Sequence, residues 1–187
     1  MARRARDTDP IAEVRRNWEQ RWEFGDHLAA STAIQQASQL IHSRIRAELE
    51  AFDLSFASYE ALMLLSFAHG GAIDQRSMGL RLMVQPASMS NTVSRLEERG
   101  LVTKERDPDD GRRMTIKLTT AGERLVNQVS GPLQRIRFGV ADFTDEQIVG
   151  LNRILRRLRE VAGEVDTAAP NPWYEDRLTD GVGDSRV

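Results

Sequence analysis

Residues 74–119 read DQRSMGLRLMVQPASMSNTVSRLEERGLVTKERDPDDGRRMTIKLT, and this stretch decides the fold. Asp74 is a residue type that caps helix N-termini, and a short apolar-periodic segment follows it. Gln85–Pro86 opens a second helix, since proline is tolerated in a first turn, and this helix runs to Gly100. The stretch therefore predicts two helices joined by a tight turn.

A β-hairpin is predicted directly after the second helix. Met114, Ile116 and Leu118 alternate with polar residues, which is the period-two pattern of a half-buried strand. Segment 101–106 is the other strand candidate, and the Asp, Pro and Gly residues of 107–111 favour a turn between the two strands.

The second helix of the stretch has a surface suited to DNA. Met89, Val93 and Leu96 mark its inward face. The opposite face carries Ala87, Ser88, Ser90, Asn91, Ser94 and Arg95. Small side chains let a helix lie deep in a major groove, and Asn and Arg have the donors and acceptors that read base edges. Taken alone, this surface is equally typical of an ordinary amphipathic helix.

The hairpin tip carries two adjacent arginines. Arg112 and Arg113 follow Asp110–Gly111 on a turn that is expected to protrude. Arginine on a narrow protrusion suits a minor groove, where the electrostatic potential is most negative. The alternative is a solvated charged turn, and taken alone the tip favours that alternative.

Helices are also predicted on the N-terminal side of the stretch. Asp9–Pro10 starts the first helix. Its apolar face combines Ile11, Val14, Trp18 and Trp22. A long helix is predicted from about residue 26 to residue 52, and another over 57–68.

On the C-terminal side, a helix is predicted from residue 120 to about residue 142, with Gly131–Pro132 as its candidate bend. Thr144 and Gln147 form a capping-box pattern that begins a last helix. An apolar seam runs along this helix through Ile148, Leu151, Leu155, Leu158, Ala162 and Val165. The seam and the long N-terminal helix carry more apolar surface than one small domain covers, which favours a homodimer. Packing of the two helices within one chain is the alternative.

The composition excludes several classes of protein. The 187 residues include no cysteine, which excludes disulfides and thiolate metal sites, and three histidines alone make a poor zinc set. No apolar run reaches the ~20 residues of a membrane helix, and the N-terminus lacks the apolar stretch of a signal peptide, so we expect a cytoplasmic chain without a membrane partner. No nucleophile elbow, phosphate loop or zinc-protease spacing is present, so an enzyme is not expected. The net charge of −2 does not decide DNA binding, because a local basic face is what matters.

The order of these elements and their sequence resemble the MarR family of winged helix-turn-helix transcriptional regulators. The matching residues are 74–76, 84–102, 107–119 and Gly122. The most specific part is Leu-Glu-Glu-Arg-Gly-Leu-Val at 96–102, followed by Asp-x-Arg at 110–112 and Leu-Thr at 118–119. The resemblance covers roughly residues 26–165. It implies a mainly α fold with a small β-hairpin wing, in which a winged helix-turn-helix lobe is joined to a helical dimerisation region.

The resemblance also implies an organisation and a function. Its segments are an N-terminal extension helix (1–25), a dimerisation helix (26–54), the DNA-binding lobe (55–132), C-terminal dimerisation helices (133–165) and a flexible tail (166–187). We expect a homodimer on double-stranded DNA that acts mainly as a ligand-responsive repressor at a pseudo-palindromic operator, without a cofactor. The implied DNA-binding residues are Arg76, Pro86, Ala87, Ser88, Ser90, Asn91, Ser94, Arg95, Asp110, Arg112 and Arg113. A winged-helix protein-interaction module without DNA binding is the alternative.

Met83 departs from the family at the turn between the two helices, where glycine is frequent. A left-handed backbone is costly for methionine, so we expect this turn to be slightly reshaped.

The N-terminal helix resembles the extension found in the urate-responsive branch of the family, which binds its ligand with a tryptophan, an acidic residue and two arginines. The first two positions fall on Trp18 and Glu60, and the arginine positions fall on Thr92 and Lys104. Loss of a bidentate arginine disfavours urate itself. The resemblance implies a different small aromatic or anionic effector that contacts Trp18, Glu60 and Lys104. The alternative, which the residues favour, is that Trp18 and Trp22 only pack the extra helix onto the dimer.

Overall fold

The computed structural model describes residues 9–106 and 113–168, which form seven α-helices and a three-stranded sheet. The chain divides into two units, Met1–Gly139 and Val140–Val187. None of the helices in the described ranges is both long and apolar enough to span a bilayer.

The first helix of the described range is α1 (Pro10–Glu19), and the Asp9 carboxylate caps it by accepting a hydrogen bond from the Ile11 N–H at 3.0 Å. The prediction that Trp22 shares the face of this helix is wrong, because α1 ends before it. Trp22 lies in the following turn, with its ring centroid 4.6 Å from that of Trp18. The chain reverses at Phe24, whose backbone is left-handed (φ 64°).

The long predicted helix is confirmed as α2 (Gly25–Leu49), which continues as a 3-10 turn over Glu50–Phe52. Helix α3 (Phe56–Ser66) follows, and two left-handed glycines, Gly70 and Gly71, then lead into a strand.

That strand, β1 (Ala72–Asp74), was not predicted, because three residues are too few to show an alternating pattern. The two predicted strands are confirmed as β2 (Val102–Arg106) and β3 (Met114–Leu118). The sheet is antiparallel in the order β1–β3–β2.

Helices α4 (Gln75–Arg81) and α5 (Pro86–Glu98) form the predicted pair around the tight turn. Asp74 caps α4 by accepting from the Ser77 N–H at 3.0 Å. The predicted inward residues of α5, Met89, Val93 and Leu96, are all buried.

Helix α6 (Thr120–Arg135) passes through Pro132 and ends earlier than residue 142, where its end was predicted. The reason is a reversal in which Arg137, Phe138 and Gly139 all adopt positive φ. Gly139 lies against α2, where a Cβ would come 3.3 Å from the Ile41 carbonyl oxygen.

One hydrophobic core joins the end of α2 to the sheet and to α3–α6. Its fully buried side chains include Leu49, Leu62, Leu65, Met78, Val93, Leu96, Ile116 and Leu133. This shared core carries α5 on its surface and leaves one side of that helix in solvent.

The second unit contains helix α7 (Asp145–Val161), and the predicted capping box of Thr144 and Gln147 is confirmed. The predicted seam ends sooner than expected, since Ala162 caps the helix and Val165 lies beyond it. The cause is Gly163, whose left-handed backbone (φ 74°) ends the helix.

Candidate nucleic-acid interface

Helix α5 exposes the face that was predicted to meet DNA. Pro86, Ala87, Ser88, Ser90, Asn91 and Arg95 are exposed, and Ser94 is half-buried. Because the buried residues of α5 lie on the opposite face, the core fixes which side chains reach solvent. The neighbours of Asn91 along the helix are residues 87–90 and 92–94. Apart from the buried Met89 and Val93, their side chains are no larger than threonine. The helix surface is therefore narrow enough for a major groove.

The turn between α4 and α5 keeps the left-handed geometry that methionine was expected to avoid. Met83 has φ 52°, so the expected reshaping of this turn is wrong. The Met83 N–H donates to the Leu80 carbonyl at 3.3 Å, and the Val84 N–H donates to the Gly79 carbonyl at 2.9 Å. These two hydrogen bonds end α4 in the manner that glycine usually permits, and here methionine accepts the strained conformation.

A side-chain clamp joins α5 to strand β2. The Lys104 ammonium donates to the Ser94 hydroxyl at 3.0 Å and lies 2.8 Å from a Glu97 carboxylate oxygen. The Ser94 hydroxyl is thus turned toward the sheet, where it accepts this hydrogen bond. Glu97 was not identified from the sequence, although opposite charges on either side of the Gly100 turn are a signal that could have revealed the pair.

The basic residues predicted to meet DNA differ in how far the structure describes them. Arg76 on α4 and Arg95 on α5 are exposed, and neither forms an ion pair or hydrogen bond with any residue in 9–106 or 113–168. Arg113 is exposed immediately before β3. Asp110 and Arg112 lie outside the described residues, so their predicted roles at the wing tip stay predictions.

Comparison with known proteins decides the family. A family model described as MarR family matches residues 52–113. The chain is similar to Sco5413, a MarR family transcriptional regulator from Streptomyces coelicolor, with 35% sequence identity and a TM-score of 0.70, covering 75% of this chain and 98% of that one. The chain belongs to the MarR family.

Other relatives of this MarR-family chain agree. The HTH-type transcriptional regulator SarZ from Staphylococcus saprophyticus is 25% identical over 120 residues, which is 64% of this chain and 80% of that protein. Sco3205, a MarR family regulator from Streptomyces coelicolor solved in complex with DNA, shares the fold with a TM-score of 0.70 and 24% identity, covering 82% of this chain and 96% of that one. The winged helix-turn-helix fold and the function as a DNA-binding transcriptional regulator, rather than an enzyme, are therefore confirmed.

The three residues predicted to bind an effector make separate local contacts in the MarR-family chain. The Trp18 indole N–H donates to the Glu23 carbonyl at 2.7 Å, and the Lys104 ammonium is held in the clamp. Burial raises the pKa of Glu60, and the charge of His42 lowers it by less. Among the described residues, no hydrogen bond or ion pair joins any two of Trp18, Glu60 and Lys104. The shared effector site stays a prediction.

Proposed function

We propose that the chain is a homodimeric repressor whose two α5 helices enter successive major grooves of a pseudo-palindromic operator. The observation that carries this proposal is the exposed face of α5, where Asn91 and Arg95 lie among small side chains and Arg95 has no partner in the part of the chain that the structure describes. Two half-sites one helical turn apart require two recognition helices, so a dimer is the assembly that fits this reading mode.

The proposed contacts divide into two kinds. Asn91 and Arg95 read base edges, because the amide donor and acceptor of asparagine match adenine and the two guanidinium donors of arginine match guanine. Arg76 binds backbone phosphate. Arg113, together with Arg112 in its predicted role at the wing tip, contacts the minor groove next to the major groove that α5 enters. Phosphate contacts make the affinity strongly salt-dependent, since each one releases counterions from the DNA.

The proposal includes a small aromatic or anionic effector that weakens DNA binding. Support comes from Lys104, whose ammonium is held by Glu97 and Ser94 close to the recognition helix. An anionic ligand that pairs with Lys104 competes directly with Glu97 and loosens the clamp between α5 and β2. The ligand can shift the balance between the closed and the loosened clamp only by as much as its affinities for these two arrangements differ.

The test is a fluorescence-anisotropy titration against the DNA upstream of the chain's own gene, with competitor DNA and at several salt concentrations. We expect tight, competitor-resistant binding that falls by at least about 100-fold between about 50 and about 200 mM salt. Arg95→Ala should lower specific affinity by about tenfold or more, as expected for loss of a bidentate base contact.

Arg124→Ala is the matched control, because Arg124 on α6 is an exposed arginine whose one side-chain hydrogen bond within residues 9–106 and 113–168 is to the Thr120 carbonyl of its own helix. It should leave specific affinity unchanged. Weak binding to both the upstream DNA and a randomised pool, with no effect of Arg95→Ala, would refute the proposal and favour a protein-interaction module.

A further inference from the structure

The C-terminal end of α5 is held by a glycine cap. Gly100 is left-handed (φ 67°), its N–H donates to the Glu97 carbonyl at 2.8 Å, and the Leu101 N–H donates to the Leu96 carbonyl at 2.9 Å. This pair of hydrogen bonds is the Schellman motif, which fixes the path of the chain at the end of a helix. Arg99, the residue before the glycine, therefore leaves the helix in a fixed direction.

The Arg99 side chain spans from α5 to the end of α2. Its Nη1 donates to the Asp53 carbonyl at 2.5 Å, and its Nη2 donates to the Phe52 carbonyl at 3.0 Å. Phe52 is the last residue of the 3-10 turn that follows α2, and Asp53 caps that turn with a left-handed backbone (φ 51°). Carbonyl groups at a helix end lack helical partners and carry partial negative charge, and the planar guanidinium fork satisfies two of them at once.

This link differs from the other contacts of the recognition helix. The main packing partners of α5 are α3, α4 and β2, which all belong to the segment predicted as the DNA-binding lobe. Arg99 instead reaches the segment predicted as the dimerisation helix. A change in the angle between α2 and α5 must break or stretch its two hydrogen bonds.

We propose that Arg99 is a positioning residue that fixes the recognition helix to the end of α2 and so sets the separation of the two recognition helices in the dimer. The inference rests on the proposed dimeric function. Helix α5 has 13 residues and is about 20 Å long, so a tilt of ~10° about its anchored end moves the other end by about 3.5 Å. That displacement is close to the ~3.4 Å rise of one base pair, so the anchor decides which half-site spacing fits.

The first test measures the separation without DNA. Since the chain has no cysteine, a single Arg81→Cys substitution places one spin label per protomer on α4, at an exposed residue without a described partner. Double electron–electron resonance on the full-length dimer gives the distance distribution between the two labels. With Arg99→Ala we expect a distribution about twice as wide, and with Arg99→Lys an intermediate width, because lysine keeps the charge but not the fork.

Arg46→Ala is the matched control. Arg46 and Arg99 line the same surface cavity of about 520 Å³, but among the described residues Arg46 forms just an exposed ion pair with Glu50 at 3.6 Å. Its loss should leave the width unchanged, and thermal unfolding shows whether each variant is folded. The proposal is overturned if Arg99→Ala and Arg99→Lys give distance distributions as narrow as that of Arg46→Ala. It is also overturned if the wild-type sample shows no interspin distance.

The second test uses duplexes that the wild-type chain selects from a randomised 30-base-pair pool, as selected and with one base pair inserted at the centre. The ratio of the affinities for the selected and the lengthened duplex should be at least about fivefold larger for wild type than for Arg99→Ala. Equal discrimination overturns the role of Arg99 while the proposed function stands. A wider distribution in Arg99→Ala together with no selected sequence leaves the positioning role in place and refutes the proposed function.

Discussion

Met83 offers a direct test of whether the helix-turn-helix turn stores backbone strain. A left-handed conformation costs an L-amino acid about 1–2 kcal/mol relative to glycine. Glycine in turn loses about 0.5–1 kcal/mol more conformational entropy on folding than alanine does. Replacing Met83 separately by Gly and by Ala removes the same side chain in both variants, so its partial burial (62% exposed) cancels in the comparison. We therefore expect M83G to be more stable than M83A by about 0.5–1 kcal/mol.

The assay is urea unfolding of both variants at one fixed protomer concentration, since the stability of a dimer depends on concentration. Arg81, the exposed last helical residue of α4, supplies the matched control pair. There the order must reverse, with R81G less stable than R81A by about 1 kcal/mol, because glycine is a poor helix former. If M83G is less stable than M83A by a similar amount, Met83 is unstrained and the reasoning is refuted.

Three further perturbations follow from the same structure. Gly122→Ala should destabilise the chain by about 3 kcal/mol or more in urea unfolding, because its Cβ would lie within van der Waals overlap of the Leu101 carbonyl oxygen. Glu60→Gln should stabilise the chain at pH 7, since burial raises the pKa of Glu60 and its carboxylate form is disfavoured in the fold. The stability that Glu60 contributes is present below its ordinary pKa of about 4.3 and is lost as the pH rises through the higher folded pKa, so the advantage of glutamine should vanish in urea titrations at pH 4. Lys104→Met and Glu97→Gln should each weaken operator binding by about threefold or more, and the exchanged pair E97K/K104E should recover part of it; no recovery would show that the clamp does not position α5.

The features that the sequence predicted well are those controlled by local chemistry. Asp9, Asp74 and Thr144 cap the helices they were expected to cap, because a side-chain oxygen two or three residues before a free N–H needs no tertiary contact to act. The inward face of α5 and the alternation of β3 follow from the periods of helix and strand.

The features that the sequence could not predict depend on contacts between distant segments. Strand β1 exists because β3 pairs with it, with Ile73 opposite Ile116, and three residues carry no periodic pattern of their own. The end of α6 depends on Phe138, a non-glycine residue in a left-handed conformation. Gly139 is a local signal for this reversal, but the positive φ of Arg137 and Phe138 is imposed by the surrounding structure and leaves no signal in the sequence.

The distribution of the basic residues between internal contacts and the exposed surface explains how a chain with a net charge of −2 serves as a DNA-binding regulator. Along α5 and β2, Lys104 is neutralised by Glu97, and Arg99 is occupied by two carbonyl groups. Arg76 and Arg95, two exposed arginines that have no partner among the described residues, lie on the two helices of the helix-turn-helix. In the proposed function, the basic residues engaged internally position the recognition helix, and the exposed Arg76 and Arg95 contact the DNA. The sum over the whole chain hides this division, because attraction to phosphate depends on the unpaired charges near the groove rather than on the total.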